Sequence, residues 1–222
     1  MDPEEQRVQR EGYVAAFRSE AVQSAIRQGL IGPIAVTYVE WAGLGSRYVV
    51  VPWTEIGTAA EAEGFAGQLL RARLRRAIWT SFSAALDFLI NLLWGAGVEP
   101  TQRVIDVSGD GPNNQGRDAT QARDDAVVAG IVINGLPLMI SAPTGPYDIP
   151  NLDLYYRDCV IGGPGTFMVP VRDVAEFAKA IRTKIVREVA DASVPVPPIV
   201  PAQAFSRARC AATGRRGGDF DP

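Results

Sequence analysis

The run Ser108-Gly109-Asp110-Gly111-Pro112-Asn113-Asn114 sets one carboxylate between two glycines, with hydroxyl and amide side chains on either side. Glycine lets a backbone turn abruptly, so such a run can deliver an acidic side chain to the end of a strand. A carboxylate among neutral oxygen donors suits a hard divalent cation, Mg²⁺ above all. Taken alone, the motif fits equally well with Asp110 capping the loop ahead of the next helix. A second group favours the cation: Thr80, Ser81 and Ser83 open the helix that precedes this strand. Hydroxyls there usually cap the helix. In an open parallel sheet, however, that helix start and the Asp110 loop both fall at the carboxyl ends of the strands, where ligands bind.

Composition removes most other chemistry. The chain has no histidine, which excludes Ser-His-Asp and Cys-His relays and histidine-ligated zinc. Cys159 and Cys210 are too few for a thiolate zinc site. Because Cys210 falls in a polar tail, two free thiols are expected in preference to a disulfide. A formal net charge of −3 gives no electrostatic reason to expect nucleic acid. No apolar run reaches the ~20 residues that span a bilayer. The start, Met1-Asp2-Pro3-Glu4-Glu5, is acidic and does not read as a signal peptide.

The elements that must position these groups alternate along the chain. Asp2, Pro3 and Glu5 announce a first helix. Gly12, Ala15 and Ala16 within it are small enough for close packing on a sheet, and a second helical turn follows near 20–27. Ile34 to Trp41 is rich in β-formers, and Arg47 to Trp53 returns as its antiparallel partner. Pro52 cannot donate to a ladder and marks that second strand as an edge. Helices are expected over Thr58 to Leu70, Thr80 to Leu93 and Arg117 to Ala129, with a short one over Leu152 to Cys159 and a terminal one over Asp173 to Ala190. Strands are expected over Arg103 to Ser108, Gly130 to Ile133 with continuation at Leu138 to Ile140, and Thr166 to Val171. This alternation predicts an α/β fold, a doubly wound and mainly parallel sheet with one antiparallel edge strand, over residues 1–190. Residues 191–222, rich in Pro, Arg and Gly, are expected to form a disordered tail.

Longer signatures carry a resemblance. Arg103-Val-Ile-Asp-Val-Ser-Gly-Asp-Gly-Pro-Asn-Asn-Gln-Gly116, Ile133-Asn-Gly-Leu136 and Tyr155-Tyr-Arg-Asp-Cys-Val-Ile-Gly-Gly-Pro-Gly165 resemble an uncharacterised bacterial family with a von Willebrand factor A-like fold. Ile34-Ala-Val-Thr-Tyr-Val-Glu-Trp41 and Gln9-Arg-Glu-Gly-Tyr13 extend the likeness, which covers residues 2–190. The resemblance implies a metal-ion-dependent adhesion site built from three loops. Of these, Thr80 would supply the second-loop ligand and Asp110 the third, with Ser108, Asn113 and Asn114 shaping the third loop. It implies Mg²⁺ as the ion, noncatalytic binding of a protein partner whose acidic group completes the metal shell, and a periplasmic or secreted location. The family's first strand, with its Asp-x-Ser-x-Ser loop, would end where Met1-Asp2-Pro3 begins. That strand is central, between the hairpin and the strand carrying Asp110. Its absence predicts a true start upstream, or a degenerate copy, and metal binding that is weak or absent in the chain as it stands. Trp79 and Phe82 also depart from the small residues expected around Thr80.

Other motifs lead to weaker expectations. Gly-Asp-Gly-x-Asn is similar to the metal loop of haloacid-dehalogenase-like phosphatases, which would make the chain a Mg²⁺-dependent phosphohydrolase. That alternative needs a nucleophilic Asp-x-Asp at an early strand end, and the sequence offers only Asp219-Phe220-Asp221. Gly162-Gly-Pro-Gly165 has neither P-loop nor dinucleotide spacing and reads as a tight turn. Asp106 lies inside a strand and requires an internal partner, since a lone buried charge is costly.

Overall fold

The computed structural model describes residues 3–29, 32–141 and 148–190, together with Cys210. Asp2 and the 191–222 tail, Cys210 excepted, lie outside the described residues. Two helices come first, α1 (Pro3–Arg18) and α2 (Glu20–Gln28), the second capped by Ser19, whose hydroxyl accepts from the Val22 amide. Gly12 of α1 faces another helix and not a sheet, while Ala15 is exposed. A Cβ on Gly12 would come within 2.6 Å of the Phe177 ring, in the terminal helix α7 (Phe177–Ala190).

The hairpin forms where the β-rich runs predict it. Strand β1 (Ile34–Trp41) pairs antiparallel with β2 (Arg47–Ile56), from Trp41↔Arg47 at the turn to Ile34↔Ile56. β2 runs three residues beyond the expected end at Trp53. Among the described residues it pairs with β1 alone, which leaves Pro52 on an edge strand. Helix α3 (Ala59–Arg71) follows, and its first turn is a capping box. Glu61 accepts from the amides of Gly57 and Thr58 at 2.8 and 2.9 Å, and the Thr58 hydroxyl accepts from Glu61 at 3.2 Å.

These bonds, that from Gly57 foremost, hold the Glu61 carboxyl below its ordinary value. A carboxyl lowered on folding stabilises the fold above its unfolded value, about 4.3, and ceases to do so as pH falls through the lower folded value. The urea midpoint of Glu61→Gln should therefore lie below wild type at neutral pH, and the gap should close on acidification through that window. A gap of constant size would contradict this.

The second sheet is a βαβ unit. Strand β3 (Arg103–Gly109) pairs in parallel with β4 (Ile131–Pro137), from Arg103↔Ile131 to Gly109↔Pro137, and α5 (Ala119–Val128) crosses between them. α4 (Phe82–Trp94) precedes β3 and begins later than expected, with Ser81 as its cap. Every residue of β4 is buried, which accounts for its apolar run. The expected last strand lies parallel to β4 but is reduced to bridges, Gly135↔Met168 and Leu138↔Val171: the Val169 and Val171 amides donate to Gly135 O and Pro137 O, while Pro137 of β4 has no N–H to return a bond between them. Gly163 and Gly165 take positive φ in the turn that leads there.

The core divides in two. Phe17, Phe65, Ile181 and Ile185 of α1, α3 and α7 pack on the hairpin side. Phe82, Leu86, Ile105, Ile133 and Tyr156 pack on the β3–β4 side. The latter cluster includes α6 (Leu152–Tyr155), which continues into a π-helical turn over Tyr156–Val160. That turn corrects one expectation: Cys159 and Cys210 are disulfide-bonded, with Cα atoms 5.4 Å apart. The turn buries Cys159 in the cluster against which Cys210 packs, at a separation that a disulfide spans without backbone movement.

Between β1 and β3 lies a cavity of about 510 Å³. None of the described helices is long and apolar enough to cross a membrane.

Candidate functional site

At the carboxyl ends of β1 and β3 the loops converge. The Ser81 amide donates to Ala42 O at 2.8 Å, tying the start of α4 to the end of β1. The Gln115 side chain accepts from the Leu44 amide at 3.0 Å, tying the loop after β3 to the hairpin turn. Ser81 and Ser83 lie 3.3 Å apart through their hydroxyl oxygens. Gly116 fits beside them only because it has no side chain: its φ is +84°, and a Cβ there would come within 2.6 Å of Ser83 Oγ.

Asn113 and Asn114 dock the Asp110 loop onto Thr80. Asn114 Oδ1 accepts from the Thr80 amide at 2.8 Å, and the Asn114 amide donates back to Thr80 O at 2.9 Å. Asn113 is 1% exposed. Its Oδ1 accepts from the Phe82 amide at 2.8 Å, its Nδ2 donates to Arg117 O at 3.0 Å, and its own amide donates to the Tyr155 hydroxyl at 3.1 Å. Both backbone groups of Thr80 are thereby engaged, while its hydroxyl makes no hydrogen bond among the described residues.

Thr80, Asp110 and Ser108 all line the cavity between β1 and β3, so the three oxygen donors singled out in the sequence share one space. Ser108 Oγ is buried with no hydrogen-bond partner among the described residues, an arrangement that costs about 1–3 kcal/mol unless something else binds it. Asp110 is near enough to Tyr156 that its charge adds to burial in pushing the phenol well above its ordinary value. The Tyr156 hydroxyl donates to Gly109 O at 3.3 Å, which fixes the strand end from below. In kind, one carboxylate and two hydroxyls suit a hard cation. Among the described residues no group of three or more His, Cys, Asp or Glu gathers to hold a metal, at this rim or elsewhere.

Sequence reasoning did not anticipate the part played by Trp79. It has φ +72°, the only positive value among the described non-glycine residues. Backbone strain of this kind costs about 1–3 kcal/mol and tends to gather at functional sites. Phe82, which looked out of place beside Thr80, is fully buried against Trp41, Tyr155 and Tyr156. Asp106 does not reach the rim: it pairs with Lys184 of α7. The Asp-x-Asp that a phosphohydrolase would need lies outside the described residues.

The α/β fold that brings these loops to one end of its strands is similar to that of von Willebrand factor A proteins. Proximal thread matrix protein 1 of the mussel byssus, in a form with a zinc-occupied metal-ion-dependent adhesion motif, superposes with a TM-score of 0.58 at 13% identity, over 82% of this chain and 42% of that one. The pilus adhesin SpaC of Lactobacillus rhamnosus GG gives 0.59 at 12% identity, over 82% and 28%. A von Willebrand factor type A protein from Catenulispora acidiphila gives 0.53 at 13%, over 84% and 39%. At these identities the likeness is one of fold, and this chain spans less than half the length of each of them. The chain belongs to a family described as a protein of unknown function (DUF1194), whose model matches residues 1–193. Comparison with curated proteins gave no significant match.

Proposed function

We propose that this chain is a noncatalytic binding module whose contact with a protein partner depends on a divalent cation held at the Thr80–Asp110 rim. The observation that carries the reading is the reciprocal pairing of Thr80 with Asn114. It locks the two loops together while the Thr80 hydroxyl, beside the Asp110 loop, has no hydrogen-bond partner among the described residues. Thr80 Oγ1, an Asp110 carboxylate oxygen and Ser108 Oγ would hold the ion. A bound cation would supply the positive charge that recruits an acidic side chain of the partner, and no bond need be made or broken. Mg²⁺ suits these donors better than zinc, since all are hard oxygens with neither imidazole nor thiolate among them.

Three protein oxygens are half of an octahedral shell, so binding by this chain alone should be weak. A relative in fold carries zinc at its adhesion motif, and another is named as a pilus adhesin; both accord with this reading. The Cys159–Cys210 disulfide favours an oxidising compartment, periplasmic or extracellular. Calorimetric titration with Mg²⁺ or Mn²⁺ should give a saturable heat for the wild type that Asp110→Ala abolishes. Equal heats for the two proteins would remove the metal role.

A further inference from the structure

Arg71-Ala-Arg-Leu-Arg-Arg76 sets four cations within six residues, between α3 and the Thr80 loop. All four arginines are exposed, and none of them lines the cavity between β1 and β3. Among the described residues none of the four forms an ion pair. Arginines elsewhere do: Arg18 pairs with Glu63, Arg27 with Glu20, Arg117 with Asp87 and Asp125, and Arg172 with Asp153. In a chain whose formal net charge is −3, this segment is a local concentration of positive charge.

Beyond Arg71 the segment is neither helix nor strand, yet its backbone is pinned. Arg10 of α1, 4% exposed, donates to Ala72 O and, at 3.3 Å, to Arg73 O. Arg10 is itself held by an ion pair with Glu40 of β1. Gln6 of α1 donates to Arg75 O at 3.2 Å. The carbonyls are thus tied to α1 while the arginine side chains reach solvent. Arg75 is oriented further by the Tyr48 ring of β2, whose centroid lies 4.6 Å from its guanidinium carbon. Leu74 and Tyr48 are both exposed, so apolar surface lies among the charges. A segment already fixed in the free protein loses less conformational freedom when it binds.

We propose that this segment docks an acidic stretch of a protein partner, with several carboxylates and an aliphatic side chain among them. Guanidinium forks match carboxylates in a bidentate manner, and the aliphatic group would cover Leu74. A nucleic acid or an anionic bilayer fits less well, since each presents an extended negative surface to a chain that is itself net negative.

This surface does not depend on a cation at the Thr80–Asp110 rim, so its test is run in a chelator. The probe is a dye-labelled, amidated octapeptide of glutamates with one central leucine. Its binding to the intact chain, read by anisotropy, should saturate and should weaken at least tenfold when salt is raised tenfold. It should move the amide resonances of Arg73, Leu74, Arg75, Arg76 and Tyr48 ahead of all others, a result that needs no variant. Glutamine at Arg71, Arg73, Arg75 and Arg76 together should weaken binding at least tenfold. The same change of charge at Arg18, Arg27, Arg172 and Arg182, all exposed, should weaken it less than threefold. Equal losses from the two sets, shifts centred outside the segment, or no saturable binding would each overturn the proposal. So would tighter binding to phosphatidylglycerol vesicles or to a single-stranded oligonucleotide.

Discussion

Lys184→Met should destabilise the protein by about 3 kcal/mol or more, because it strips two carboxylates of the cation they share. Lys184 is 1% exposed on the inner face of α7. Its ammonium pairs with Asp106 of β3 and with Glu188 one turn away at 2.7 Å. Glu188 also accepts from Asn134 Nδ2 of β4 at 2.7 Å, and Asn134 Oδ1 accepts from the Phe167 amide at 3.0 Å. One ammonium is thus shared by two carboxylates, and the cluster joins α7 to β3 through Asp106 and to β4 through Glu188 and Asn134. Burial lowers the pKa of Lys184 and Glu188 opposes that effect, so the charge is held by its partners at the expense of its hydration. Methionine fills the volume but leaves two carboxylates facing one another with little water to screen them. Adding Asp106→Asn and Glu188→Gln should recover much of the loss, because a neutral hydrogen-bonded cluster avoids that repulsion. Urea denaturation measures both. A single-variant loss under about 1 kcal/mol would mean that the cluster is solvated and contributes little.

The second large effect belongs to the disulfide. Cys159 and Cys210 are 51 positions apart. A cross-link closing a loop of that length lowers the entropy of the unfolded chain enough to stabilise the fold by about 4 kcal/mol. Cys210→Ser, or reduction of the wild type, should therefore shift the urea midpoint strongly. Cys159→Ser should cost somewhat more, since it also sets a hydroxyl in a fully buried site. An unchanged midpoint on reduction would show that the bond does not constrain the chain in solution.

How much of this was legible beforehand depended on the range of each signal. β1 is bounded as its β-rich run indicated, and the capped helices begin within two residues of their expected starts, because turn and cap chemistry is local. The glycine-flanked Asp110 and the hydroxyls near Thr80 stood out by type and spacing. Their docking did not: Asn113 and Asn114 could be read only as loop-shaping until their partners, Phe82 and Thr80, were known. The disulfide was missed because residues 191–222 give no periodic signal to indicate where the chain returns. Lys184 was equally hidden, since a lysine among the apolar positions of a helix reads as solvated until Asp106 is found opposite. The expected strand over Thr166 to Val171 shrank to bridges because its partner β4 places Pro137, which has no N–H, opposite it, and that pairing could not be read from the segment itself.

Paramagnetic broadening by Mn²⁺ reports whether the Thr80 loop and the Asp110 loop form one cation-binding rim. In amide spectra of the intact chain, substoichiometric Mn²⁺ should broaden resonances first at Thr80, Ser81, Asp110 and Gly111. Asp110→Ala should abolish the effect while the rest of the spectrum keeps its native dispersion. Broadening centred on other carboxylates, or unchanged in Asp110→Ala, would contradict the account.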